Sequence, residues 1–143
     1  MLIKHIFRFI LVSAMLSAYN IVRAQDSTDV TQGPKIKFVE TSYDFGTVLQ
    51  GAQVKHSFEF KNVGNDTLRI EQVKTSCGCT AAESSKIIPP QKQGQIDVTF
   101  NTGSRQGKTS KTVYIYSNDV EAARRSVIIH GIITTPKTGG DEK

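Results

Sequence analysis

Residues 54–61, VKHSFEFK, alternate between two kinds of side chain over their whole length. Val54, His56, Phe58 and Phe60 occupy every second position, and lysine, serine, glutamate and lysine stand between and after them. Successive side chains of a β-strand point to opposite faces, whereas an amphipathic α-helix needs apolar residues three or four positions apart. The stretch therefore predicts a strand with one buried face and one solvated face.

Strand-like stretches recur along the chain, and connections that contain glycine or asparagine separate most of them. The segment NVGND at 62–66 predicts a hairpin turn that returns the chain into a partner strand, because Gly64 and Asn65 both adopt positive φ readily. No segment predicts a helix. About seven short strands in about 100 residues predict an all-β fold, an immunoglobulin-like antiparallel β-sandwich rather than a barrel. The predicted strands are residues 36–40, 43–51, 54–61, 67–73, 95–100, 108–117 and 124–134.

Residues 1–24 have the character of a secretory signal peptide. Lys4 and Arg8 precede an apolar run at 9–18, and small residues stand at the positions before a cut at Gln25. The alternative is a membrane anchor, but the apolar run is shorter than the roughly 20 residues that a spanning helix needs. A lipoprotein is not expected, because a lipid-bearing cysteine would stand at the cut. The sequence therefore predicts an exported protein, either periplasmic or secreted.

The remaining chain divides into one domain with two polar flanks. Residues 25–34 predict a flexible leader, residues 35–134 the β-sandwich, and residues 135–143 a disordered tail. The formal charge of +5 falls to +2 without residues 1–24, which hold three basic residues and no acidic one. No basic stripe with interleaved aromatic residues remains, so nucleic acid is not an expected partner. After removal of the signal peptide, no membrane span is expected either.

The motifs Asp44-Phe45-Gly46 and Ser76-Cys77-Gly78-Cys79-Thr80 stand at the two ends of the segment from Tyr43 to Thr80. This segment resembles a bacterial exported family catalogued as domain-of-unknown-function family 1573. The resemblance extends over residues 36–134. It implies an immunoglobulin-like sandwich akin to major sperm protein and Hydin-type domains, and it implies no activity, since a fold does not define a function. The matching motifs are Asp44-Phe45-Gly46, Gly51, Phe58 to Asn62, Gly64-Asn65, Ser76-Cys77-Gly78-Cys79-Thr80, Pro89, Gly94, Ile96-Asp97-Val98, Lys111 and Ser117-Asn118.

Two of these motifs have a direct physical interpretation. Asp44-Phe45-Gly46 predicts a buried aromatic side chain beside a glycine that lets the backbone turn or approach another element closely. Phe58 and Phe60 are predicted core residues, because their spacing is that of the inner face of a strand.

Cys77 and Cys79 are the two cysteines of the chain, and Gly78 lies between them. In an oxidising compartment a cysteine pair favours a disulfide or a redox-active dithiol, although residues i and i+2 need a local kink to reach bonding distance. Thiolates also suit copper or zinc, but two ligands leave the metal shell incomplete unless His56 or His130 lies close. The third interpretation is a pair of small buried residues without chemistry. On their own, both histidines are expected to be satisfied core or edge residues.

No nucleophile–histidine–acid motif, paired-carboxylate motif, HExxH or phosphate-binding loop occurs, so the chain is not expected to be an enzyme. The predicted function is that of an exported binding or scaffolding module of the cell envelope, whose partner is a protein or another envelope component. The candidate contact patch consists of Tyr114 and Tyr116 with Lys108 and Lys111. The alternative function is thiol redox chemistry or soft-metal handling at Cys77 and Cys79, for which copper or zinc would be the cofactor.

Overall fold

The computed structural model describes residues 32–78 and 80–136, and of Ala81 it describes the backbone alone. The predicted signal peptide, most of the leader at 25–34 and the tail from residue 137 lie outside these ranges. Within them the chain forms strands and no helix, and therefore no helix long and apolar enough to cross a membrane. The strands are β1 (Ile36–Phe38), β2 (Ser42–Leu49), β3 (Gln53–Asn62), β4 (Leu68–Thr75), β5 (Thr80–Ser84), β6 (Ile87–Ile88), β7 (Gln93–Asn101), β8 (Gly107–Ser117) and β9 (Arg124–Thr134).

The strands form two sheets, one of four strands in the order β1-β3-β7-β5 and one of five in the order β2-β9-β8-β4-β6. The predicted sandwich and all seven predicted strands are confirmed. Two further strands, β5 and β6, were not predicted, because TAAES lacks apolar alternation and β6 has two residues. The strand pairs are antiparallel with one exception, since β2 lies parallel to β9 at the edge of the five-stranded sheet.

The predicted hairpin at 62–66 was wrong. β3 belongs to the four-stranded sheet and β4 to the five-stranded sheet, so the segment crosses from one sheet to the other. Gly64 is needed for close packing rather than for positive φ, which neither it nor Asn65 adopts. A Cβ at position 64 would lie 2.0 Å from the carbonyl oxygen of Gly33, a separation that no folded chain tolerates.

The core lies between the two sheets. Phe58 and Phe60 of β3 and Phe100 of β7 are completely buried, which confirms the predicted role of the first two. Burying each such side chain contributes roughly 1.5–3 kcal/mol of apolar transfer free energy. The five-stranded sheet supplies the facing layer, which is made of Leu68, Ile70, Val113, Ile115, Val127, Ile129 and Ile133.

Asn62 is a completely buried polar residue at the end of β3. Its Oδ1 accepts hydrogen bonds from the backbone N–H of Lys35 at 3.2 Å and of Gly64 at 3.1 Å. Its Nδ2 donates to the carbonyl oxygens of Asp66 at 2.7 Å and Ile88 at 2.9 Å. One amide therefore joins the entry to β1, the crossing segment and β6.

Asp119, in the connection from β8 to β9, is the second buried polar anchor, and its side chain has no solvent exposure. Oδ2 accepts a hydrogen bond from the Ile36 N–H and one from Arg125 Nε, both at 3.0 Å. Oδ1 accepts from the N–H groups of Glu121 at 2.8 Å and Ala122 at 3.4 Å. This carboxylate fixes the start of β1 to the turn that precedes β9.

The motif Asp44-Phe45-Gly46 forms a bulge in β2, where the register against β9 shifts between Asp44 and Thr47. Gly46 has a φ of 68°, and Asp44 Oδ1 accepts a hydrogen bond from its N–H at 2.8 Å. The half-buried Phe45 packs against the backbone of Gly131 in β9, where a Cβ atom would lie 2.4 Å from the Phe45 ring. The predicted backbone turn at Gly46 is confirmed, but Phe45 is half-buried rather than buried, and the close approach of its ring is to Gly131 of β9 and not to Gly46.

Candidate functional site

Cys77 lies where the chain passes from β4 in one sheet to β5 in the other. It is disulfide-bonded, and Cys79, the other cysteine of the chain, lies outside the described residues. Around it, the Thr75 hydroxyl donates to the Cys77 carbonyl oxygen at 2.9 Å, and Thr80 Oγ1 lies 3.6 Å from Cys77 Sγ. The bond fits the first interpretation of the cysteine motif, a disulfide or redox-active dithiol. The redox activity of the motif stays a prediction.

A metal site at the cysteines receives no support from the described histidines. Among the residues that the structure describes, no group of three or more His, Cys, Asp or Glu side chains is placed to hold a metal ion. His56 Nε2 lies 2.8 Å from Glu40 Oε1, and His130 Nδ1 lies 3.9 Å from Asp44 Oδ1. Both histidines therefore have acidic neighbours of their own, and copper or zinc binding stays a prediction.

His56 is packed as a structural residue. Its ring stacks on Tyr43 of β2 with centroids 3.7 Å apart, and it meets the edge of Phe58 at 4.7 Å. Tyr43 and His56 belong to different sheets, so the stack closes one side of the sandwich. This is the satisfied histidine that the sequence predicted.

The predicted contact patch is divided between the two faces of the five-stranded sheet. Tyr114 and Tyr116 lie on its outer face, and Lys108 lies on the same face six residues away, about 20 Å along the strand. Lys111 lies three residues before Tyr114, and β8 has no register shift against β9. Lys111 therefore lies on the opposite face of the sheet, which carries Val113 and Ile115. The structure therefore brings the two tyrosines together but neither of the predicted lysines to them.

Two other cations accompany the tyrosines. Lys74 Nζ of β4 lies 5.6 Å from the ring centroid of Tyr116, and Arg124 Cζ of β9 lies 5.5 Å from that of Tyr114. Both distances are within the range of cation–π attraction. We call these four residues the tyrosine patch. Sequence analysis missed Lys74 and Arg124 because cross-strand register, rather than distance along the chain, makes them neighbours.

A shallow cleft of about 500 Å³ opens on the same outer face, at the other end of β8 and β9. Asp44, His130 and Ser110 stand side by side in it on three adjacent strands. Asp44 and His130 are well exposed, and within the described chain His130 makes no hydrogen bond to Ser110. The other lining residues are Gly46, Thr47, Lys108, Thr109, Gly131 and Ile132.

The outer face of the four-stranded sheet carries a hydrogen-bonded carboxylate. Ser57 Oγ donates to Asp97 Oδ1 at 2.5 Å, and Gln95 Nε2 donates to Asp97 Oδ2 at 2.8 Å. The hydrogen bond from Ser57, followed by that from Gln95, holds the pKa of Asp97 below its ordinary value. Asp97 therefore remains ionised at mildly acidic pH.

We expect the free energy of unfolding of Asp97→Asn to decrease less between neutral and acidic pH than that of the parent protein. Because the pKa of Asp97 is lowered in the folded chain, this group stabilises the fold above its unfolded-state pKa of about 4, and the stabilisation disappears as pH falls through the folded-state pKa. Urea unfolding at pH 7 and at pH 3 to 4 measures the effect. Ser57→Ala should act in the same direction, and Glu71→Gln on the other sheet serves as control. An unchanged pH slope in Asp97→Asn would contradict the prediction.

The two layers, the mostly antiparallel pairing and the sheet-crossing connections define an immunoglobulin-like β-sandwich. It is similar to PapD-like domain 7 of human CEP192, with a TM-score of 0.59 and 10% identity over 72% of this chain and 87% of that one. The model of the family described as Protein of unknown function (DUF1573) matches residues 36–133, and the chain belongs to this family. The predicted membership is confirmed.

Two bacterial structures share the fold. A protein of unknown function from Porphyromonas gingivalis W83 has a TM-score of 0.62 and 20% identity, with 72% of this chain and 48% of that one covered. The secreted serine protease VesC from Vibrio cholerae has a TM-score of 0.55 and 12% identity, with 69% and 23% covered. The chain thus spans about half of the first protein and under a quarter of the second. No relative was found among the curated proteins.

Proposed function

We propose that the protein is a non-enzymatic binding module of the bacterial cell envelope, exported by cleavage before Gln25, which holds a partner protein on its tyrosine patch. The outward pair Tyr114 and Tyr116, each with a cation over its ring, is the observation that carries the proposal. Tyrosine and arginine are among the side chains most enriched at the energetic centres of protein interfaces. The character of the first 24 residues supports export, since it is that of a signal peptide.

The charges on the patch indicate the chemistry of the partner. Lys74 and Arg124 are both cationic. The residues that pair with the same tyrosines from the other side are neutral: Ser126 is paired with Tyr114, and Gln72 with Tyr116. Rigid aromatic rings that already carry cations suit an acidic surface, because such a surface gains charge-assisted contacts at a small cost in side-chain entropy. The partner is therefore an acidic protein, and its association should weaken as salt rises.

A photoreactive amino acid in place of Tyr114, in the full chain expressed in its own cells, tests the proposal. We expect one discrete adduct in the envelope fraction, and we expect Lys74→Glu with Arg124→Glu to abolish it. The matched control is Lys55→Glu with Lys61→Glu, two exposed or half-exposed lysines of the other sheet. An adduct that survives the first pair of reversals, or that both pairs remove equally, would refute the patch. A mature protein that begins elsewhere than at Gln25 would refute the cleavage site, and one retained in the cytoplasm would refute the export.

The disulfide at Cys77 supports one alternative function, thiol–disulfide exchange. A two-residue spacing closes so small a loop that such a bond adds little stability through loop entropy, which leaves chemistry as a reason to keep it. Intact mass after alkylation of the denatured protein, at a series of glutathione potentials, measures its reduction. Reduction at a mild potential supports exchange activity, whereas resistance to strong reductant supports a structural bond.

A further inference from the structure

Three of the four sheet edges are protected against pairing with another strand. β1 has three residues, β6 has two and runs into Pro89 and Pro90, and β2 contains the bulge at Asp44 to Thr47. Short length, proline and bulges are the devices by which β-proteins prevent edge-to-edge association.

In the part of the chain that the structure describes, the fourth edge, β5, lacks all three of these devices. Its five residues, Thr80 to Ser84, pair with β7 without a register shift, and they contain neither proline nor lysine. Ser85 N–H donates to the Gln95 carbonyl oxygen, so the alternating backbone groups of Ala82 and Ser84 point away from β7. Five regular residues are enough to template one further strand.

Acidic groups beside this edge select what can pair with it. Glu83 is exposed on the outer face of β5, and it stands directly opposite Asp97 of β7. Glu59 of β3 is exposed one row further along the same face. A strand added beside β5 would place one residue opposite Glu83, where a carboxylate is repelled and a lysine or arginine is attracted.

From the open edge and these carboxylates, we infer that β5 is a second binding site, which accepts an extended segment of another protein with lysine or arginine at alternate positions. The segment forms main-chain hydrogen bonds with Ala82 and Ser84 and places a basic side chain against Glu83 and Asp97. Small residues on β5 leave the approach unobstructed. The site lies on the four-stranded sheet and is independent of the tyrosine patch on the five-stranded sheet.

A second copy of the chain fits this edge less well. An antiparallel pair of β5 strands centred on Ala82 brings Glu83 opposite Ala81, so it gains no charge pair and brings two acidic faces together. Self-association is therefore an outcome that the experiment must separate from peptide binding.

Fluorescence anisotropy with the full chain and two labelled peptides tests the inference. The probes are the blocked peptide TKVKVKT and its acidic counterpart TEVEVET. We expect the basic peptide to bind the protein and the acidic one not to bind. Glu83→Lys should weaken binding of the basic peptide about tenfold and allow the acidic one to bind, because a cross-strand attraction becomes a repulsion. Glu71→Lys, an exposed change on the other sheet, is the matched control and should have no effect.

Two further measurements separate strand addition from simple charge attraction. N-methylation of alternate backbone nitrogens of the basic peptide removes main-chain donors without changing its charge, and it should abolish binding. Ala82→Pro should do the same, and Glu83→Lys retains the test if the proline variant does not fold. Equal binding of the methylated peptide, insensitivity to Glu83→Lys, or a β5-mediated dimer that excludes the peptide would each overturn the inference. Tyr114→Ala should leave peptide binding unchanged.

Discussion

Replacing Asp119 with alanine is expected to lower the free energy of unfolding by at least about 3 kcal/mol, a large part of the 5–15 kcal/mol typical of a domain. The carboxylate is completely buried, and it accepts hydrogen bonds from the Ile36 N–H, from two N–H groups of the β8–β9 turn and from Arg125. Alanine leaves the buried Ile36 N–H without an acceptor and the arginine without its buried partner, and each loss has a penalty of its own. Urea denaturation at pH 7 measures the change.

Glu121→Ala is the matched control for this prediction. Glu121 contacts the same guanidinium at 3.2 Å and also pairs with Lys35, but its side chain is 46% exposed. Exposed ion pairs contribute about 0–1 kcal/mol, so the control should stay near the parent protein. Asp119→Asn should fall between the two, because it keeps the shape and one acceptor but loses the charge. Equal losses in Asp119→Ala and Glu121→Ala would show that burial of the carboxylate is not what matters.

The strands could be predicted because each carries its own signal. Val54 to Phe60 alternate in the sequence and lie alternately inside and outside in the structure, and Phe58 and Phe60 have no solvent exposure. Such a pattern depends on neighbours two residues apart. A strand that lacks this alternation, such as β5, is recognisable only from its pairing with another strand, here β7. The sequence alone therefore did not predict it.

The connections could not be predicted, because distant partners determine them. The polar sequence after β3 is compatible with a hairpin within one sheet and equally with a crossing to the other sheet. What decides between them is the pairing of β3 with β7 and of β4 with β8, which involves residues more than thirty positions away. The parallel partner of β2 is likewise the last strand of the domain.

The candidate binding surfaces also contain a part that the local sequence predicts and a part that only the pairing of strands determines. Tyr114 and Tyr116 were predicted on one face because they are two residues apart in a strand. Their cationic neighbours Lys74 and Arg124 come from the flanking strands β4 and β9, and the lysines closer in sequence lie elsewhere. The open edge at β5 follows from strand order alone, which the sequence pattern does not contain.

Asn62→Ala is expected to have the second of the two largest effects, a loss of about 3 kcal/mol or more in the free energy of unfolding. Four backbone groups that bond to this one buried amide lose their partner, and each buried unpaired group costs about 1–3 kcal/mol unless water reaches it. Because those groups belong to the entry of β1, the crossing segment and β6, hydrogen exchange should increase at all three places together. The unfolding midpoint in urea and the exchange rates measure the two effects.

Two variants show whether the hydrogen bonds, rather than the volume of the side chain, are responsible. Asn62→Asp keeps size and the Oδ1 acceptor, but it sets an oxygen against the carbonyl oxygens of Asp66 and Ile88, so it should be as damaging as alanine at neutral pH. Asn65→Ala removes an exposed asparagine of the same segment, whose Oδ1 accepts from the Gly33 N–H at 2.7 Å, and it should lose about 1 kcal/mol or less. If Asn62→Asp were as stable as the parent protein, the four hydrogen bonds could not be what joins the two sheets at this end of the sandwich.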